Sequence, residues 1–241
     1  MTAVVAVGRR YLPRGWSDLG LQIAIWFGFL AVYQAVRGLA DRNPAKAFSN
    51  GDEIVRVETH FTHRLYELTL QHFVDQKHWL ETLVSWTYWN SEFTVLGLAL
   101  LWVYLRRHES FAKFRNAVLL ANVLGLIGYF AMPTAPPRLL GVGFVNQHRD
   151  GLVQMFANPY AAMPSLHAGD ALIVGLVLAS LCQRLIWRVL WAVWPAWVWF
   201  CVMATGNHFW LDCVAGTLVA ILAMAIVYRA PIRRTIAARP A

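Results

Sequence analysis

Two short stretches of the sequence combine residue types that could carry acid–base or nucleophilic chemistry. The first, residues 162–167, reads AMPSLH and places His167 where a long apolar segment begins. The second, residues 207–212, reads NHFWLD, in which His208 and Asp212 lie four residues apart and would share one face of a helix. Ionisable groups are rare in helices that lie in lipid, and those that occur mark functional sites by default. The two stretches are therefore candidate halves of one active site.

The composition indicates that the helices carrying these residues lie in a membrane. The 241 residues are 58% hydrophobic and only 14% charged, and their mean hydropathy is +0.45. A soluble domain of this length could not bury so much apolar surface. We therefore predict an all-α integral membrane protein that forms one domain over residues 1–241. Six segments are apolar and long enough to cross a bilayer as helices: 19–36, 80–105, 116–132, 165–182, 187–205 and 208–228.

Residues 38–78, between the first two segments, are polar and contain turn signals, which predicts an outer loop outside the membrane. The apolar residues within the loop recur at near-helical spacing: Phe61, Leu65, Leu68 and Phe73. This spacing predicts an amphipathic helix that lies in the membrane interface and turns a polar face, including Glu67, to solvent. His60 and His63 could bind a metal, but no carboxylate or cysteine completes a recognisable ligand set, so no metal site is predicted.

Lysine and arginine residues near the segment ends predict the orientation of the chain. Four basic clusters fall on one face of a six-span bundle: Arg9, Arg10 and Arg14; Arg106, Arg107, Lys113 and Arg115; Arg184 and Arg188; Arg229, Arg233, Arg234 and Arg239. Basic loops favour the cytoplasm, which places both termini there and the candidate site on the outer face, in the plasma (inner) membrane if the protein is bacterial. Anionic headgroups of the inner leaflet account for the net charge of +8, and no nucleic acid is required as a partner.

The same topology brings the candidate residues together. His167 begins the fourth segment and His208 begins the sixth, and both ends lie on the outer face. The turn at residues 133–138, which reads PTAPPR, ends the third segment on that face. Its Arg138 offers a planar fork of donors suited to phosphate. Three further polar residues are candidates for the lining of the substrate cavity: Asn207, Tyr160 and Glu92.

This set of side chains suits phosphoryl transfer without a metal. His208, oriented by Asp212, would attack phosphorus, and His167 would protonate the leaving alkoxide. Arg138, the hydroxyl of Ser165 and the free N–H groups of a helix start would bind the phosphate. Each feature alone has another interpretation, because a single histidine in an apolar segment is more often a packing residue and Ser165 is an ordinary helix start. Their joint occurrence on one face favours catalysis.

The three stretches resemble the signature motifs of the type 2 phosphatidic acid phosphatase superfamily: residues 133–138, residues 162–167, and His208 with Asp212. More narrowly, they resemble its inositolphosphotransferase branch, which includes inositol phosphorylceramide synthases. The resemblance covers residues 86–228. It implies a six-helix bundle, a phosphohistidine intermediate, no cofactor, a membrane lipid phosphate or phosphodiester as substrate, and a lipid or polyol as the acceptor in a transfer reaction.

The sequence departs from the broad superfamily pattern at two phosphate-binding cations, whose places hold Ala131 and Val202. The inositolphosphotransferase branch lacks both cations as well, and a singly charged phosphodiester needs fewer of them than a dianionic monoester. Three alternatives remain. A lipid phosphate phosphatase would act on phosphatidic acid or a polyprenyl phosphate. A serine protease using Ser165 and His208 would leave the second histidine unused, and a small-solute transporter gives no role to the spacing of His208 and Asp212.

Overall fold

The computed structural model of the chain describes residues 12–39, 43–144 and 160–229. Within these ranges the chain forms nine α-helices and no strand. The helices are α1 (Gly15–Leu39), α2 (Pro44–Thr62), α3 (Tyr66–Asp75), α4 (His78–Asn90), α5 (Leu96–Arg106), α6 (His108–Ala131), α7 (Leu166–Leu181), α8 (Leu185–Ala204) and α9 (Trp210–Arg229). Several residues of the two terminal basic clusters lie outside the described residues: Arg9, Arg10, Arg233, Arg234 and Arg239.

Four of the described helices are long and apolar enough to span a membrane, namely α1, α6, α8 and α9. Helix α7 is apolar but has only 16 residues. The predicted second span consists of α4 and α5, which a π-helical turn at Ser91–Val95 joins. Large apolar side chains are exposed on the outer surface of the long helices, among them Phe27, Ile127 and Leu218, as expected of helices that face lipid. The chain is thus an all-α membrane protein, and the count of six spans stays a prediction.

Helix α7 lies at the centre of the bundle and packs against α6, α8 and α9. Apart from His167 and Asp170 near its start, its residues are apolar or small on all sides, which is typical of a helix surrounded by protein. It crosses α9 where Gly169 and Gly216 face each other. A Cβ atom at Gly169 would lie 2.9 Å from the Gly216 carbonyl oxygen. Small residues permit such close crossings between membrane helices. The crossing allows the backbone N–H of Ser165 to donate to the Asp212 carbonyl oxygen at 2.9 Å.

The outer loop folds into two helices, α2 and α3, and the single interfacial helix predicted there is not confirmed. Helix α2 begins at Pro44, and the side chain of Asn43 caps it by accepting from the backbone N–H of Lys46 at 3.1 Å. Helix α3 packs against α8. Glu67, predicted on a solvent-facing surface, is instead fully buried. The difference arises because α2 and α3 pack against the helical bundle.

Helix α2 also holds the turn that follows α6. The backbone N–H of Ala135 donates to the Ala47 carbonyl oxygen at 2.9 Å, and the side-chain amide of Asn50 donates to the Pro133 carbonyl oxygen at 2.7 Å. The outer-loop helices are therefore part of the scaffold beneath the first motif.

Candidate active site

Five elements converge on one cavity: the end of α1, the junction of α4 with the π-helical turn, the end of α6 with its following turn, the start of α7 and the start of α9. Five of the residues predicted from the sequence line this cavity: Glu92, Arg138, His167, Asn207 and His208. The structure therefore brings the three motifs together, as the order of apolar segments predicts.

The ring of His208 is held from behind by a backbone carbonyl group. Its Nδ1 atom lies 2.9 Å from the Ala162 carbonyl oxygen. Because that oxygen can only accept a hydrogen bond, Nδ1 must carry the hydrogen, which leaves a lone pair on Nε2. The Asp212 Oδ2 atom lies farther from Nδ1, at 3.5 Å, and accepts from the backbone N–H of Phe209 at 2.9 Å. Ala162, which sequence reasoning missed, is thus the nearer orienting group, and Asp212 is close enough to stabilise positive charge on the ring.

His167 faces His208 across the cavity, and the centroids of the two rings are 5.6 Å apart. One face of the His167 ring stacks on Tyr88 with a centroid distance of 4.6 Å and an angle of 17° between the planes. Its Nε2 atom lies 3.3 Å from the Glu92 Oε2 atom. The His167 ring therefore contacts an aromatic face from the last turn of α4 and a carboxylate from the π-helical turn that follows it.

Arg138 is held by the loop that precedes α9. Its backbone N–H donates to the Gly206 carbonyl oxygen at 3.0 Å, and its guanidinium donates to the side-chain oxygen of Asn207. The Asn207 amide in turn donates to Thr205 Oγ1 at 2.8 Å. Gly206 has a φ of +65°, a left-handed conformation that glycine adopts without strain, and a Cβ there would lie 2.8 Å from the Phe144 ring. This chain of contacts directs the Arg138 side chain into the cavity.

A second arginine, which sequence reasoning did not select, also lines the cavity. Arg37 comes from the end of α1, and its guanidinium carbon lies 6.0 Å from the centroid of the Tyr129 ring. Arg37 and Arg138 face the cavity together with Glu92. If these three groups are charged, they give the cavity one net positive charge. The only signal for Arg37 in the sequence is its place directly after the first apolar segment, residues 19–36.

Besides Asp212, two predicted site residues are not part of the described cavity lining. Ser165 is fully buried, and its hydroxyl caps α7 by accepting from the backbone N–H of Ala168 at 3.4 Å. The Tyr160 ring packs edge-on against Phe48 with a centroid distance of 5.9 Å. Neither side chain is among the described lining residues, so their contacts with substrate stay predictions.

The start of α9, which follows His208, is held by three carboxyl groups. Each accepts a hydrogen bond from one of three successive backbone N–H groups: Phe209 to Asp212 Oδ2 at 2.9 Å, Trp210 to Glu67 Oε1 at 2.7 Å, and Leu211 to Glu58 Oε1 at 3.0 Å. Glu58 and Glu67 are fully buried. Burial, together with the neighbouring Glu67 carboxyl, raises the pKa of Glu58 to about 9, and burial also raises the pKa of Glu67. The outer-loop helices therefore hold the backbone that carries His208.

Within the described ranges, no group of three histidine, cysteine or acidic side chains is arranged to hold a metal ion. His60 and His63, the residues considered for a metal site, are exposed on α2 and at its end. Both lie outside the lining of the cavity as described.

Comparison with known proteins identifies the family of the chain. The sequence profile of the PAP2 superfamily matches residues 52–226. The chain belongs to this superfamily of membrane-lipid phosphatases and phosphotransferases, which confirms the family and the enzyme class predicted from the motifs.

Two individual proteins are similar to the chain. A curated relative, the phosphoinositol dihydroceramide synthase of Bacteroides thetaiotaomicron, is 27% identical in an alignment that covers 53% of this chain and 48% of the relative. The chain thus matches about half the length of that relative. The crystal structure of LpxE from Aquifex aeolicus superposes with a TM-score of 0.55 at 20% identity and covers 69% of this chain and 95% of LpxE. The likeness to LpxE supports the helical fold.

Proposed function

We propose that the protein transfers a phosphoryl group from a membrane lipid through a covalent intermediate on His208. The main support is the pairing of two imidazoles in one cavity, 5.6 Å between ring centroids, with Arg138 beside them. The hydrogen bond from Nδ1 of His208 to the Ala162 carbonyl leaves Nε2 free to attack. Nucleophile and acid are then two different side chains, so each half of a double displacement at phosphorus can use both.

In the first step, Nε2 of His208 forms a bond to phosphorus while the bond from phosphorus to the leaving oxygen breaks. His167 gives its proton to that oxygen, so that the leaving group departs as an alcohol. In the second step, an acceptor alcohol or water gives its proton to His167 and its oxygen attacks phosphorus, which breaks the bond to His208. Arg138 and Arg37 would bind the non-bridging oxygens throughout, and Asp212 would stabilise the positive charge on His208.

The charge of the cavity favours a phosphodiester as the donor. The places of two phosphate-binding cations of the broad superfamily hold Ala131 and Val202, and a singly charged diester needs fewer cations than a dianionic monoester. The name of the bacterial relative, a phosphoinositol dihydroceramide synthase, accords with such a donor. We therefore propose an inositol-phosphate-type headgroup on the donor lipid and a lipid alcohol as acceptor. A phosphatase acting on a lipid phosphate is the alternative.

The proposed orientation has both termini in the cytoplasm and the cavity on the outer face of the membrane. It rests on the basic residues near the segment ends. Eight of them lie within the described ranges: Arg14, Arg106, Arg107, Lys113, Arg115, Arg184, Arg188 and Arg229. A cysteine introduced at position 146, outside the described residues, should react with an impermeant thiol reagent on intact cells after the native cysteines are removed. Protection of that cysteine, with labelling of a C-terminal one, would contradict the orientation.

The experiment that tests the function is incubation of the purified protein with a total lipid extract, followed by mass spectrometry of the lipids consumed and formed. The wild type should consume one class of phospholipid, and His208→Ala should not. The matched control is His78→Ala, because that side chain is 92% exposed and is not among the described lining residues of the cavity. Lipid binding without turnover by the wild type would favour the transporter, and turnover retained in His208→Ala would refute the mechanism.

A further inference from the structure

We infer that Glu92 is the carboxylate partner of His167, so that the cavity contains a second histidine–carboxylate pair that keeps the acid in its protonated, donating form. In this role Glu92 is a positioning residue that acts through His167. The inference rests on the proposed function, because it assigns a partner to the proton donor of that reaction.

The first observation is the contact between the two side chains. The Glu92 Oε2 atom lies 3.3 Å from Nε2 of His167, and each side chain is only 13% exposed. A carboxylate this close favours the imidazolium over the neutral ring and opposes the penalty that burial places on a charged imidazole. Of the described acidic side chains, Glu92 is the one within ion-pair distance of His167.

The second observation is how the backbone delivers Glu92. The helix that begins as α4 changes to a π-helical turn at Ser91–Val95 before it continues as α5. Single π-helical turns are frequent at functional sites because they redirect side chains locally. Tyr88, four residues before Glu92, stacks on the face of the His167 ring while Glu92 meets its edge. One segment therefore fixes both the plane of the ring and the partner of its Nε2 atom.

The third observation is the charge on the other walls. The charged and titratable groups that share the cavity with His167 and Glu92 are Arg37 from α1, Tyr88 from α4, Tyr129 from α6, Arg138 from the following turn and His208 before α9. Two of these are arginines, whose positive charges disfavour a further positive charge on His167. A cationic acid in this cavity therefore needs a carboxylate beside it, and Glu92 supplies one.

Glu92 would act in both halves of the reaction. In the first half, the single N–H on Nε2 of His167 turns from Glu92 to the leaving oxygen, and its proton moves to that oxygen as the bond from phosphorus to the oxygen breaks. In the second half, the proton of the acceptor hydroxyl moves to His167, and Glu92 stabilises the imidazolium that forms. No proton is gained or lost over the cycle.

The test compares Glu92→Gln with the wild type on two donors. One is the lipid identified by mass spectrometry, whose alkoxide needs a proton. The other is a nitrophenyl phosphate ester, whose leaving group does not. Turnover of the lipid by Glu92→Gln should fall at least about tenfold, and by no more than the roughly 10²–10⁴-fold expected for complete loss of an acid. Labelling of His208 by the nitrophenyl ester should change less than about threefold, because that step does not use the acid.

The dependence of lipid turnover on pH distinguishes this role of Glu92 from a purely structural one, which would leave the pH profile unchanged. If Glu92 favours the imidazolium, Glu92→Gln should shift the alkaline limb of lipid turnover toward lower pH, and Glu92→Asp should restore part of that shift. The control is Glu81→Gln on α4, which is outside the described cavity lining and should match the wild type.

Equal losses on both donors with an unchanged pH profile would overturn the role of Glu92 and leave the proposed function intact. A wild-type protein that neither turns over a lipid nor becomes labelled at His208 would overturn both the proposed function and the inference that rests on it.

Discussion

Replacement of Gly216 by alanine tests whether the crossing of α7 and α9 sets the geometry of the site. A Cβ at this position would overlap the Ser165 carbonyl oxygen and lie 2.8 Å from its carbonyl carbon. Two carbon atoms in contact are normally about 3.5–4.0 Å apart. The obstructing atoms belong to the backbone and cannot rotate aside, so the start of α7 must move from α9 by about 1 Å.

That movement would change the spacing of the two imidazoles, because His167 lies two residues after Ser165 and His208 precedes α9. A misplacement of about 1 Å costs on the order of 10²-fold in rate, so kcat for the lipid should fall by about that factor. The assay is lipid turnover in detergent, with thermal unfolding of the same sample to show that the variant is folded.

The matched control is Gly97→Ala in α5, where an added Cβ would have nothing within 4 Å. This variant should keep wild-type turnover and gain up to about 1 kcal/mol of stability, because alanine favours a helix more than glycine does. A folded Gly216→Ala protein with wild-type kcat would refute the reasoning that the crossing positions the catalytic groups.

The remaining predictions concern the acid, the second arginine, the buried glutamates and metals. His167→Ala should lower lipid turnover by about 10²–10⁴-fold. A nitrophenyl phosphate ester should still label His208 of this variant through an acid-labile, base-stable bond. Equal loss with both substrates would contradict the assigned roles. Arg37→Gln should weaken the inhibition of lipid turnover by vanadate, a phosphate analogue, at least about tenfold, because a charged hydrogen bond contributes about 1.5–3 kcal/mol. The control Arg64→Gln changes an exposed arginine and should leave that inhibition unchanged. Glu58 stays protonated up to about pH 9 in the native state but ionises near pH 4.3 when unfolded. Its contribution to stability should therefore fall as pH rises between these values, by at most about 1.4 kcal/mol per unit. Glu58→Gln should flatten that slope in thermal unfolding from pH 5 to 9, and an unchanged slope would show that Glu58 is not its source. Turnover should survive EDTA, and loss that zinc or magnesium restores would exclude the metal-independent mechanism.

The sequence alone determined the family, the membrane character and most of the helices. Apolar segments of about 20 residues can be read directly because lipid tolerates few other residues. For the same reason His167, His208 and Asp212 were conspicuous within those segments. The order of segments then sufficed to predict that three distant motifs meet at one end of the bundle.

Only the tertiary structure decided what surrounds the two histidines. The acceptor for the His208 ring is the backbone carbonyl of Ala162, which no residue type reveals. Arg37 reaches the cavity because α1 packs beside α6, a contact that leaves no pattern in either helix.

The outer loop shows the physical limit of the sequence most clearly. Glu58 and Glu67 stand among polar residues, and local periodicity therefore assigns Glu67 to a solvent-facing surface. In the structure both are fully buried beneath the start of α9 and bind its backbone N–H groups. Periodicity shows which face of a helix is apolar. Glu58 and Glu67, however, are stabilised by backbone N–H groups more than a hundred residues away in the sequence. Only the packed chain brings those groups near.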